Sequence, residues 1–173
     1  MNAAPRVAFF ADSFHEVNGV ALTSRQFEAF ARSRQLPFLS VHAGPETKSE
    51  SEGSVSTLEL QRGGTAFPIE TDLFFDPLLW RYKQRVIQAL DAFKPDLIHV
   101  TGPNDLGMLG SYIAHNLKVP LVASWHTNVH EYAARRLEKL LSFIPEKQLR
   151  KMSAAAERHA LSGTALFYRT ARM

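Results

Sequence analysis

Three short stretches of this 173-residue chain hold the side chains best suited to chemistry. The first is Asp12-Ser13-Phe14-His15-Glu16-Val17-Asn18-Gly19, a run of turn formers between an apolar segment and an amphipathic one. Asn18 has the side chain of a helix N-cap. Gly19 would leave the first backbone N–H groups of that helix uncovered, where the helix dipole favours an anion such as phosphate. A single glycine is neither the G-x-G-x-x-G fingerprint nor a P-loop, and glycine equally serves a tight strand-to-helix turn. The second stretch, Thr101-Gly102-Pro103-Asn104-Asp105, offers Asn104 as a turn residue or as a ligand contact. The third, Ser124-Trp125-His126-Thr127-Asn128, sets an imidazole at the end of an apolar segment. There it suits a hydrogen bond to a hydroxyl or a phosphate oxygen, with a pKa near neutrality, or a helix cap. His130 follows four residues later, but Thr127 stands where the zinc motif H-E-x-x-H has its glutamate, so no metal site is expected. His42, His99 and His115 read as packing or surface residues, and neither a Gly-x-Ser-x-Gly elbow nor a pair of catalytic carboxylates is present.

The elements that must position these residues follow from hydrophobic pattern. Arg6 to Ala11 is apolar on both faces, as a strand covered by helices on both sides requires. A helix then carries Val20, Phe27, Phe30 and Ala31 on one face, and Pro37 to His42 is the next strand. Residues 43–53 read as an exposed polar loop and 54–62 as a half-buried alternating strand ending at the turn formers Gly63-Gly64. Asp76 as N-cap with Pro77 at the first helical position starts a helix whose stripe is Leu79, Tyr82, Val86, Leu90 and Phe93, ending at Lys94 before Pro95. A second unit repeats the order: strand 96–100, loop 101–105, helix 106–117 and strand 120–125. Alternating strands and helices predict an α/β, Rossmann-like, doubly wound and mainly parallel sheet flanked by helices. Ligands bind beyond the carboxyl ends of such strands, so the loops 12–19, 101–105 and 126–132 should converge on one crevice. The organisation expected is a domain over 1–145 and a helical tail over 146–173.

Composition narrows the class. Apolar residues are 45% and charged residues 21% of the chain, the balance of a folded globular protein rather than a disordered one. With no cysteine, disulfides, thiolate metal sites and cysteine nucleophiles are excluded. The apolar run Val7 to Ala11 is far shorter than a membrane span, and the first residues lack a signal-peptide core, so a cytoplasmic protein is expected. The net charge of +3 is a difference between two regions: nine Lys/Arg against four Asp/Glu in 131–173, and eleven against thirteen before it. The basic stretch suits a solvated helix face, packing against a further domain, or peripheral contact with an anionic membrane at its inner face. No aromatic residues interleave with those charges as single-strand nucleic-acid binding would want, so no nucleic acid is expected.

Together, Ala11-Asp12-Ser13-Phe14 with Val17-Asn18-Gly19-Val20, then Asp96-Leu97-Ile98-His99-Val100 with Pro103-Asn104, then Val119-Pro120-Leu121-Val122 with His126-Thr127-Asn128, resemble the motifs of family 4-type retaining glycosyltransferases. The resemblance is to the N-terminal, acceptor-side domain of a GT-B architecture, in the branch that moves mannose or related sugars onto lipid acceptors. It implies that Gly19, with Asn18, meets the diphosphate of a nucleotide-sugar donor such as GDP-mannose. It also implies that His126 is catalytic, hydrogen-bonding the transferred sugar, and that Asp12, Asn104, Thr127 and Asn128 meet a lipid or glycan acceptor. No metal or other cofactor is implied. Asn18 stands where relatives usually have a first glycine, and Asn128 where they often have aspartate. The family's nucleotide pocket, with its basic pair and Glu-x7-Glu motif, belongs to a C-terminal domain that this sequence does not contain. The chain is therefore expected to be inactive alone. The alternative is a stand-alone Rossmann-like binding module without catalysis.

Overall fold

The computed structural model describes residues 3–70 and 73–124, and in the C-terminal stretch residues 158, 162, 163, 165 and 169, which are helical and exposed. The chain forms two compact units, Met1–His126 and Thr127–Met173; the first carries the sheet. Its elements are β1 (Val7–Ala11), α1 (Gly19–Ser33), β2 (Phe38–Gly44), β3 (Lys48–Glu52), β4 (Val55–Gln61), β5 (Phe67–Glu70), β6 (Leu73–Phe75), a 3-10 turn (Leu79–Tyr82), α2 (Lys83–Phe93), β7 (Leu97–Val100), α3 (Asp105–Leu117) and β8 (Leu121–Ala123). Six strands form one sheet in the order β3-β4-β2-β1-β7-β8. Every pairing in it is parallel except β3 with β4. The Rossmann-like α/β expectation holds.

β1 is central, and Ala8, Phe9, Phe10 and Ala11 are fully buried, as its two-sided apolar pattern requires. The Phe9 ring packs at 5.6 Å from Phe38 of β2 and 5.1 Å from His99 of β7. Two glycines let α3 approach the sheet and the loop after β7 closely. A Cβ on Gly110 would press on the Phe10 ring at 2.9 Å, and one on Gly107 would collide with the Gly102 carbonyl oxygen. Close approach, rather than a special backbone angle, is what requires glycine at 107.

Three local expectations are corrected and one unassigned stretch is filled. Within 43–53, residues 48–52 form β3, an antiparallel edge strand built without a single apolar residue (Lys-Ser-Glu-Ser-Glu); its Ser51 and Ser56 hydroxyls meet at 3.0 Å. The backbone groups along the open edge of β4 supply the pairing that side-chain pattern cannot announce. Residues 67–75, unassigned from pattern, contain the hairpin β5–β6. The helix at Asp76-Pro77 begins as a 3-10 turn, with the Leu79 N–H donating to the Asp76 carbonyl, and becomes α-helical only at Lys83. In α1 the buried face is Ala21, Ser24 and Ala31, while Phe27 and Phe30 remain about half exposed. Small residues let α1 sit tightly on the sheet, and Phe27 caps the edge of Phe9 from the side, ring centres 5.5 Å apart.

Candidate functional site

Strand order reverses between β1 and β7, and it is beyond their carboxyl ends that a doubly wound sheet leaves its crevice. Asp12 follows β1 there. Its backbone N–H donates to the Thr101 hydroxyl at 2.8 Å, and the Thr101 N–H donates to the Phe10 carbonyl, so the first and second candidate loops are tied together. The Asp12 carboxyl group is pressed against Gly102, where any side chain would strike its Oδ2, and its other oxygen, Oδ1, is buried without a hydrogen-bond partner. Burial and the nearby Asp105 charge push its pKa up to about 7, only partly offset by the backbone amides of Gly107 and Asn104 and by Arg62.

Asn104 takes the N-cap position of α3 but makes no side-chain cap. Its amide Nδ2 donates instead to the Phe74 carbonyl at 3.2 Å, which fastens the hairpin, and its Oδ1 is buried and unpartnered. Among the described residues, two buried acceptor oxygens thus lack a hydrogen bond of good geometry and belong to residues on the two loops of the crevice, the Gly107 and Asn104 amides lying near the Asp12 carboxyl without closing one to Oδ1. An unsatisfied buried acceptor costs about 1–3 kcal/mol, which a hydroxyl-bearing ligand would recover.

Asn18 is the N-cap of α1, accepting from the Ala21 N–H at 2.8 Å through Oδ1, while its Nδ2 reaches the Ser13 hydroxyl at 3.4 Å. Gly19 is exposed and has open space where a Cβ would be. Among the described residues nothing covers the Gly19 side of this helix end, which is the side on which a phosphate could approach the α1 dipole. Both local readings of this pair are realised at once: the asparagine is a cap and the glycine keeps the helix end clear.

Two clusters went unread in the sequence. Asp105, 1% exposed, accepts through Oδ2 from Arg62 at 2.6 Å and from the Asp76 N–H at 2.8 Å, and through Oδ1 from the Leu106 N–H at 2.8 Å. Asp76, fully buried, accepts from the Gly63 N–H, the Thr65 hydroxyl, the Leu78 N–H and Arg81. Burial alone would raise its pKa; these donors outweigh that and hold it at about 2. The pair of aspartates braces the crevice from the β4 side. Beside it lies an open hollow of 480 Å³, lined among others by Arg62, Gly63, Gly64 and Arg81. The second cluster is His15, His42 and Glu59. Register makes it: β2 and β4 pair so that His42 stands directly opposite Glu59, with His15 arriving from the loop after β1. A search for paired apolar faces passes over both clusters, because each is closed by charged partners far apart in the chain, Arg62 and Asp105 by 43 residues and His15 and Glu59 by 44.

His126, Thr127 and Asn128, and with them the third candidate loop, lie outside the described residues. Among the described residues no helix is long and apolar enough to cross a membrane. The structure thus places Asp12, Asn18 and Gly19 after β1 and Asn104 after β7, with Asp12 tied to Thr101 of the second loop and Asn18 to Ser13 of the first.

Over 59 residues the chain is 39% identical to a sulfoquinovosyl transferase of Arabidopsis thaliana, a match covering 34% of this chain and 12% of that protein. No solved structure gives a significant match. The model of Glycosyltransferase Family 4 matches residues 16–162. A parallel Rossmann-like sheet with an open helix terminus at its switch point, matched by that family over most of its length, means that the chain belongs to glycosyltransferase family 4.

Proposed function

We propose that this chain is the acceptor-side domain of a retaining glycosyltransferase that moves a sugar, mannose first among candidates, from a nucleotide-sugar donor to a lipid or glycan acceptor. In this reading the donor diphosphate meets the amino end of α1 at Gly19, shaped by Asn18. The acceptor hydroxyls donate to Asp12 and Asn104, with Thr127 and Asn128 completing their site. His126 donates to the transferred sugar as the bond to phosphate opens, stabilising the developing charge. The observation that carries the proposal is the pair of buried, unpartnered oxygens, Asp12 Oδ1 and Asn104 Oδ1, on the crevice loops of a family 4 domain. No metal is assigned to the transfer step. The protein would work in the cytoplasm, the basic 131–173 region meeting either its own C-terminal domain or an anionic membrane surface.

The test is a donor screen with the whole protein, including the C-terminal domain, covering GDP-mannose and a sulfoquinovose donor, the latter because of the plant relative's name. Retention is read from the anomeric configuration of the product. His126→Ala should lower kcat about 10²-fold, the usual loss when a positioned transition-state donor is removed. Unchanged turnover would make His126 structural. Sugar transfer by the 173-residue chain alone, or binding of sugars by the whole protein with no transfer, would overturn the proposal.

A further inference from the structure

The His15–His42–Glu59 cluster is not used by the transfer reading, and three features set it apart from an ordinary ion pair. First, its ligand-type atoms converge. His15 Nε2 lies 3.0 Å and His42 Nε2 3.5 Å from the same oxygen, Glu59 Oε2, and one donor atom from each of the three residues falls within 4.8 Å of the others. Ligand atoms bonded tetrahedrally to zinc at about 2.1 Å stand about 3.4 Å apart. Second, the site is shaped for a carboxylate. Glu59 is 2% exposed between the buried Leu58 and Leu60, where an apolar side chain would suit the strand better. Its side chain lies over Gly44, where even a methyl group would collide with it, and its Oε1 accepts from the Glu46 N–H at 3.3 Å, which leaves Oε2 to the two imidazoles. Third, the buried ligand ring, His42, is held from behind. The Ser40 hydroxyl lies 3.4 Å from His42 Nδ1, and the Phe14 ring stacks on His42 at 3.8 Å with an interplanar angle of 1°. A supporting partner on the far ring nitrogen is the usual companion of a metal-binding histidine.

The geometry points to a binding site for a divalent zinc-type cation made by His15, His42 and Glu59, with a fourth position open to water on the exposed His15 side. Lys48, the lysine facing the cluster, is occupied by Glu46 at 2.9 Å and Glu50 at 3.7 Å. Bound there, the ion would clamp the loop after β1 to β2 and β4. That is the loop that carries Asp12, Asn18 and the start of α1. The role is to order the loop, not to take part in bond breaking, and it does not depend on which sugar is moved or on whether the domain transfers one.

The experiment is metal binding by the full chain, purified without a histidine tag and stripped with chelator. Titration with Zn²⁺ by calorimetry should give one saturable site per chain, Co²⁺ should give the visible absorption of a tetrahedral complex, and Zn²⁺ should protect the amides of 13–17 from hydrogen exchange. His15→Ala, at a half-exposed loop position that does not endanger folding, should weaken zinc binding about 10²-fold; Ser40→Ala should weaken it about 10-fold, the lower end of the effect of a ligand-orienting partner. His115→Ala should leave it unchanged. Failure of the folded chain to bind zinc saturably, or binding that His15→Ala does not weaken, would overturn the site and leave a metal-free His–Glu–His hydrogen-bonded clamp. Neither outcome bears on the donor screen, so the two proposals fail separately.

Discussion

Asp105→Ala should destabilise the sheet-bearing unit by about 3–5 kcal/mol, the range found when one partner of a buried ion pair is removed. Three groups lose their acceptor at once: the Arg62 guanidinium, only 13% exposed, and the backbone N–H groups of Asp76 and Leu106. The arginine keeps its charge at all accessible pH values and must find water or go unpaired. The loss is therefore larger than the net worth of the ion pair itself, since it includes the cost of stranded donors. Urea unfolding followed by circular dichroism measures it. A change below about 1 kcal/mol would mean that Arg62 swings out to solvent, and that the brace between β4, the 3-10 turn and α3 is not as tight as its 2.6 and 2.8 Å bonds indicate. Asp105→Asn should cost less than alanine, because its one amide oxygen can still accept from either the Leu106 or the Asp76 N–H while the charge facing Arg62 is lost.

Asp12→Asn should act in the opposite direction, and only in one pH range. The Asp12 carboxyl of the folded protein titrates at about 7 instead of the ordinary 3.8, because burial and the charge of Asp105 disfavour ionisation. Between those values the folded state holds a proton that the unfolded chain has released, so stability falls as pH climbs from about 4 to about 7. Above pH 7 the full cost of a buried charge is present, at most about 4 kcal/mol for a shift of this size. The asparagine variant has no such charge. Its melting temperature should exceed that of the wild type at pH 8, and the two curves should meet near pH 4. Parallel pH profiles would show that Asp12 is hydrated and titrates normally. In the whole protein the same substitution should lower turnover if Oδ1 receives an acceptor hydroxyl. A residue whose removal stabilises the fold and impairs the reaction is the expected mark of a site residue.

Much of the framework could be read directly. The unbroken apolar run of β1, the Asn18-Gly19 helix start and the breaks at Pro95 and Pro103 are local signals, each written in a few adjacent residues. β3 was not legible, because Lys48 to Glu52 carries no apolar residue and becomes a strand only where β4 presents an open edge. The 3-10 turn after Asp76 was hidden for a related reason. Two of the donors that hold Asp76, the Gly63 N–H and the Thr65 hydroxyl, lie elsewhere in the chain, and with Arg81 of the turn itself they set its geometry.

The candidate site divides along the same line. Residue types and spacing by themselves established the alternating α/β order, the loops that end β1 and β7, and the residues at their tips, because helix caps, turns and strand periodicity are decided within a few residues. Tertiary structure alone decided that His42 faces Glu59, that Arg62 and Asp76 converge on Asp105, and that burial, with Asp105 beside it, turns Asp12 into a carboxyl group titrating near neutrality. Those relations depend on strand register and on desolvation, and both come into being only when segments far apart in the chain pack and exclude water between them.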